Sequence, residues 1–401
     1  MNLVDPALVG YCTNVHAGQD LETSQSQLAT HAVAVRDSLQ QATLPVGLWL
    51  SQQTAAELKQ SQGKLDAFAD WLKESGLVPY TLNGFPFGNF HQEVVKHQVY
   101  LPTWADAQRL HYTSDLADLL VTLLKRSGHP NCGTGTISTL PIGWPTGDLA
   151  DPASPALQQA ANNLLQLVEH LEELHESSET QIKVCIEPEP GCVLGDMPAT
   201  LEYFEKYLLA GDTASRDRVT RYLSVCYDIC HSAVMNESAE DNLNRLRQLG
   251  LSIGKVQVSS AITVDFEALK DETQKQTAWQ RLQSFNEPRY LHQTAVYHPE
   301  HEAHYFEDLP QALAEPSVAR QGRWVVHFHV PISEEKAGIL DTTQQHITQF
   351  ISTCHHLDVK PIHWEVETYA WNVLPEDMKR ATLAEGIADE IRTLQHWLSP
   401  S

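Results

Sequence analysis

The stretch KVCIEPEPG (183–191) decides the fold. Val184 and Ile186 alternate with Cys185 and Glu187, so apolar side chains take one face while a thiol and a carboxylate take the other. Prolines stop the run just after the acid. A strand that is apolar along its length and polar at its C-terminal end suits a parallel sheet whose exit edge carries chemistry. The pattern recurs. In SVCYDICH (224–231), Val225 and Tyr227 oppose Cys226 and Asp228. In KVQVS (255–259), Val256 and Val258 oppose Gln257 and Ser259. In VVHFHV (325–330), Val326 and Phe328 oppose His327 and His329. In HWEVE (363–367), Trp364 and Val366 oppose His363, Glu365 and Glu367.

Working outward, further strand candidates are Tyr11–His16, Val46–Leu50, Pro79–Asn83 and Thr136–Leu140, with the final strand extending over Ile362–Glu367. Helical stretches alternate with them, among them Thr54–Ser75, Ala105–Arg126, Pro155–Glu176, Thr342–His355 and Pro375–Trp397. Alternating strand and helix signals over more than about 250 residues predict a (β/α)8 TIM barrel. Nine strand candidates are one too many, so one lies outside the barrel. No GxGxxG follows the first strand, which argues against a dinucleotide-binding sheet. Residues 260–320 carry the weakest regular pattern and are expected to form an irregular insertion, a lid or crown loop. No Gly/Ser-rich linker divides the chain, so 1–401 is expected to be a single domain.

Composition narrows the partners. The chain has 401 residues, of which 42% are hydrophobic, with 27 basic against 51 acidic side chains and a formal net charge of −24. Such a surface repels phosphate backbones and anionic lipid, which excludes nucleic acid as an expected partner. No run approaches 18 apolar residues, so no membrane insertion is expected. The first twenty residues lack a basic start and an apolar core, so no signal peptide is expected either. Seven cysteines, at 12, 132, 185, 192, 226, 230 and 354, form no CxxC pair and read as reduced thiols. Cys226 and Cys230 read as buried thiols in preference to a metal pair. A cytoplasmic location is the resulting expectation.

Glu187, Asp228, Gln257, His327, His329 and Glu367 at matching strand ends make a ligand set for one divalent cation: Mn²⁺, Co²⁺, Mg²⁺ or Zn²⁺. Buried carboxylates gathered without a cation would repel one another. Of Glu187 and Glu189, separated by Pro188, only Glu187 is expected to face inward. Candidate substrate contacts are His16 and Asn83 at strand ends, Phe85, Phe87 and Phe90 in the loop after Asn83, and Trp144 and Trp371 as stacking surfaces. His298, His301 and His304 recur every three residues and read as a solvated loop.

CIEPEPG, YDICH and HWEVETYAW resemble the strand-end motifs of the xylose-isomerase-like TIM-barrel superfamily, which includes ketose 3-epimerases and inosose dehydratase. The resemblance implies a Glu, an Asp, a His and a final Glu around one cation. Glu187, Asp228 and Glu367 match, with Glu365 as the fallback for the last and otherwise a substrate contact; His231 of the D-x-x-H element would contact substrate. The superfamily His falls on Gln257, so either an amide replaces the imidazole or His327 or His329 moves in. Longer segments, YCTNVHAGQDL, TLNGFPFGNFH, VKHQVYLPTW, TISTLPIGW, HFHVPI and HWEVETYAWNVLP, resemble the EboE-type "metabolite traffic" family of the Ebo gene clusters. That resemblance implies a role in secondary-metabolite precursor biosynthesis or traffic. Together they imply a metal-dependent isomerase or epimerase of a sugar or cyclitol, with Glu187 and Glu367 as base and acid. The alternatives are a metabolite-binding carrier barrel, or a zinc hydrolase like the endonuclease IV branch with its several zinc ions, where His327, His329 and His363 would supply a second metal site. A homo-oligomer and association with other Ebo-cluster proteins are left open.

Overall fold

The computed structural model describes residues 3, 8–128, 133–298 and 301–399, so Cys132 lies outside the described residues. Eight parallel strands close a barrel: β1 (Val9–Cys12), β2 (Leu44–Trp49), β3 (Leu77–Asn83), β4 (Thr134–Thr139), β5 (Gln181–Ile186), β6 (Leu223–Asp228), β7 (Ile253–Val258) and, much later in the chain, His363–Val366. That last strand pairs with both β1 and β7 and completes the ring. Strand residues are buried on both faces, as a barrel sheathed in helices requires. The helices follow local rules. Pro155–Ser178 starts at Ser154, whose hydroxyl accepts the Ala156 N–H, and buries Leu157, Leu164, Leu167 and Leu171 at helical spacing.

The (β/α)8 expectation holds, with one reassignment. The ninth strand, expected at 325–330, is not a barrel strand. Between β7 and the closing strand the chain builds a second sheet from β8 (Ser260–Asp265), β9 (Thr294–His298), β10 (His301–Phe306), β11 (Arg323–Val330), β12 (Lys336–Ala337) and β13 (Leu340–Thr342); the closing barrel strand is then β14. The order is β10-β9-β11-β8-β13-β12, and every pairing is antiparallel. The insertion expected at 260–320 is therefore ordered, and it extends to Thr342. The sequence hid it because its core strand β11 is flanked by β8 and β9 and buried on both faces, which produces the same apolar run as a barrel strand. Ala261, Ala295 and Val325 of this sheet pack on Cys230 and Val234 of the short helix after β6, which seats the sheet over the barrel mouth.

The first strand is also displaced. It ends at Cys12, and Thr13–Val15 makes a 3-10 turn. His298, His301 and His304 stand on the β9–β10 hairpin, where β10 is exposed, in keeping with a solvated role. Among the described residues, no helix is long and apolar enough to cross a membrane.

Candidate active site

Three carboxylates converge at the C-terminal mouth. Glu187, Asp228 and Glu367 leave β5, β6 and β14 and place ligand oxygens within 4.8 Å of one another, all buried. Two of the three are fixed by hydrogen-bond donors. Asp228 caps the helix Ile229–Val234: its Oδ1 accepts the His231 N–H at 3.0 Å and the Ser259 hydroxyl at 2.8 Å. Its Oδ2 has no protein partner. The Oε1 of Glu367 accepts from Asn14 Nδ2 at 2.8 Å and Asn83 Nδ2 at 2.9 Å. Glu187 Oε2 is unpartnered, and so are both polar atoms of the Gln257 side chain, which is fully buried on β7 and paired in register with Asp228 and Glu365.

The electrostatics follow from crowding. Burial, then Glu367 and Asp228, push the Glu187 carboxyl well above the usual range. Burial, then Asp228 and Glu365, do the same to Glu367. Buried acids held together with orphaned oxygens and an orphaned amide fit a divalent cation, which neutralises the charge and fills the coordination.

Three imidazoles line the other side. His327 and His329 come from β11 of the inserted sheet, not from a barrel strand, yet they reach the same cavity as His231. Burial, then neighbouring imidazoles, hold His327 well below its ordinary pKa. Burial brings His329 down to about 4, so both rings are neutral at physiological pH.

Several expected residues are elsewhere. Glu365 is taken by Lys255, whose Nζ lies 2.5 Å from its Oε1 in the barrel interior, so it serves neither as fallback ligand nor as substrate contact. His363 also lies in the interior, with Nδ1 2.7 Å from Thr136 Oγ1 and its ring edge-on to Tyr80, and so is no ligand at the mouth. His16 turns away, its Nε2 2.9 Å from the Tyr11 hydroxyl and its ring stacked on His31. Asn14, two residues earlier, takes the place at the mouth. Trp371 packs against Gly386 and donates Nε1–H to Glu390, so it offers no stacking surface. Trp144 stands behind Tyr100 with ring centroids 5.0 Å apart, outside the cavity lining. Phe87 packs on Tyr112 and Arg109 instead, whereas Phe85 and Phe90 do wall the cavity. Asn83 is at the mouth but spends its amide on Glu367.

Glu189 was expected to point away, but it is buried in the same cavity, accepting from the Tyr100 hydroxyl at 2.7 Å and Gln293 Nε2 at 3.0 Å. Two prolines around it break the alternation, so parity gave no signal. The cavity opens to solvent and has an acidic and imidazole floor and a wall of Phe85, Phe90, Val99, Tyr290 and Tyr369.

No protein-family model matches the chain, and no curated protein matches its sequence. Solved structures do. A xylose isomerase-like TIM barrel protein from Mycobacterium smegmatis, in complex with magnesium, is similar at TM-score 0.51 and 9% identity over 97% of this chain and 96% of that one. An L-ribulose 3-epimerase aligns at TM-score 0.46 and 9% identity, covering 97% and 93% of the two chains. The IOLI protein with a bound zinc atom aligns at TM-score 0.46 and 11% identity, covering 97% of each. The chain has the fold of the xylose isomerase-like TIM barrels.

Proposed function

We propose that the protein is a divalent-metal-dependent isomerase or epimerase of a small sugar or cyclitol. The observation that carries this reading is the convergence of Glu187, Asp228 and Glu367 from three strand ends, beside the unpartnered amide of Gln257. These four residues would hold the cation. When bound, it supplies electrophilic polarisation of a substrate carbonyl and neutralises the acids around it.

The chain's own groups supply the proton transfers. Glu187 Oε2 is free of protein partners and would accept a proton from a substrate carbon. Glu367 faces the same space from β14, its Oε1 fixed by two asparagine donors, and would return a proton from the other side. His231 would meet a substrate hydroxyl, since its Nδ1 is 2.7 Å from the Pro188 carbonyl and therefore carries the hydrogen, leaving Nε2 as acceptor. The aromatic wall would shield one side of the reacting carbon from solvent. We assign the enzyme to one domain with the second sheet as an insertion, and the finer Ebo-type role in precursor biosynthesis or traffic rests on the quoted segments.

The test is proton exchange. The protein, loaded with Mn²⁺, is incubated in deuterated buffer with a panel of ketoses and free cyclitols, and deuterium in the recovered sugar is followed by NMR. Exchange at one carbon is expected, falling about 10²–10⁴-fold in Glu187→Gln or Glu367→Gln. Undiminished exchange in both variants overturns the assignment.

A further inference from the structure

Glu189 is a buried acid that neither the cation nor the proton transfers use. The Tyr100 hydroxyl donates to its Oε1 at 2.7 Å, and Gln293 Nε2 donates to the same oxygen at 3.0 Å. Two donors meet one oxygen, as suits a carboxylate, and Oε2 is left to the cavity that Glu189 lines. Two imidazoles stand beside it. His231, on the short helix after β6, sets Nδ1 2.7 Å from the Pro188 carbonyl oxygen. His327, on β11, sets Nδ1 2.5 Å from Gln293 Oε1. The bond from Gln293 to Glu189 orients the amide so that its oxygen faces His327. Both Nδ1 partners can only accept, so both Nδ1 atoms carry the hydrogen and both Nε2 atoms offer a lone pair. His327 Nε2 is buried with no protein partner.

These acceptors come from three separate elements and gather at one place. A carboxylate oxygen of Glu189 and one ring nitrogen each of His231 and His327 lie within 4.8 Å of one another. A substrate hydroxyl brings one hydrogen to such a set and leaves two acceptors unmet, whereas a primary ammonium brings three. Three acceptors about 2.9 Å from one ammonium nitrogen, at tetrahedral angles, stand about 4.7 Å apart, which fits that spacing. Charge selects in the same direction. The three carboxylates at the mouth outweigh one divalent cation, and Glu189 adds a further negative charge. Among the described residues that line the cavity, Lys96 is the one lysine or arginine, and it is engaged by Asp308 in an ion pair. A phosphate or carboxylate on the substrate would find no free basic side chain there.

We propose that Glu189, His231 and His327 recognise a primary ammonium group, so that the sugar or cyclitol taken by this cavity carries an amine. This recognition rests on the isomerase reading for the rest of the substrate and narrows its class to an amino sugar or aminocyclitol. The amine takes the place of the hydroxyl that His231 would otherwise meet. It lies beside the cation and does not ligate it, since a protonated nitrogen has no lone pair to give a metal. His327 belongs to the inserted sheet and Gln293 immediately precedes β9 of the same sheet. The barrel thus holds the cation while the inserted sheet sets the selectivity.

Serinol and glycerol test this, because they differ only in the central group, an ammonium in one and a hydroxyl in the other. Each is titrated calorimetrically at neutral pH into the protein loaded with Mg²⁺, a hard ion that prefers oxygen to amines. Serinol is expected to bind about 10–100-fold more tightly than glycerol. The preference should vanish in Glu189→Gln, which keeps the side-chain shape and an oxygen for Tyr100 and Gln293. Equal binding of the two probes to the unaltered protein, or no serinol binding at millimolar concentration, overturns the ammonium site without relying on any variant. Either result leaves the isomerase reading standing, because Mg²⁺ binding and proton exchange do not depend on Glu189. A serinol preference that persists in Glu189→Gln but is lost in Glu187→Gln also overturns it, by placing the ammonium among the cation's own acids. Absent proton exchange with the serinol preference intact would instead sink the isomerase reading and keep the ammonium site.

Discussion

At the scale of single residues, the site separates stability from function. Gln257 illustrates this, since its amide is buried with neither atom partnered. Replacing it with Leu removes the unpaired group in a similar shape, so the metal-free protein should gain about 1–3 kcal/mol in chemical denaturation while its Mn²⁺ affinity falls. A variant that loses stability without metal would refute that picture. Asn14 is the converse case. It donates to Glu367, so Asn14→Ala should lower cation affinity about tenfold by calorimetric titration, with little change in the melting temperature of the metal-free protein. Legibility followed the same division. Glu187, Asp228 and Glu367 were readable because each ends a run of alternating residues. Glu189 and Asn14 were not, because one sits between prolines and the other in a 3-10 turn, where no period points a side chain. His16 was misread for that reason: the turn rotates it toward Tyr11.

Between elements, the decisive contact joins β7 to β14. Lys255 and Glu365 are a fully buried ion pair, and Lys255 Nζ also approaches Ser138 Oγ at 3.2 Å. Burial alone would depress the lysine's pKa, yet Glu365 holds it raised. Lys255→Met would strand the carboxylate and cost about 3–5 kcal/mol in urea unfolding, and adding Glu365→Leu should recover most of it. Room for the pair comes from β2, where a Cβ on Gly47 would stand 1.7 Å from Glu365 Oε2. Gly47→Ala is therefore expected to melt lower. The barrel strands were legible from their apolar runs, but direction was not. An antiparallel strand buried between neighbours and a parallel barrel strand print the same alternation, which is why β11 passed for a barrel member.

For the whole molecule, Glu390 on the C-terminal helix Leu383–Leu398 ties the parts together. Its carboxylate accepts from Ile332 N at 3.0 Å, just beyond β11, and from Thr368 Oγ1 at 2.6 Å and Trp371 Nε1 at 2.9 Å, just beyond β14. Burial raises its pKa from 4.5 to about 7. The folded chain thus holds a proton that the unfolded chain has released between those values, so stability is fully present below about pH 4.5 and declines as pH rises to about 7. The loss amounts to about 3 kcal/mol from this group, and Glu390→Ala should flatten the slope in melts taken across that range. The buried ammonium of Lys255 has a different consequence. Its field offsets part of the rise that burial and crowding impose on Glu187 and Glu367, whose carboxyls stay well above the usual range. The barrel therefore carries a permanent, covalently tethered counter-ion under its acids. Metal-stripped protein is therefore expected to keep its fold, and a far-ultraviolet circular dichroism spectrum that collapses on stripping would refute this.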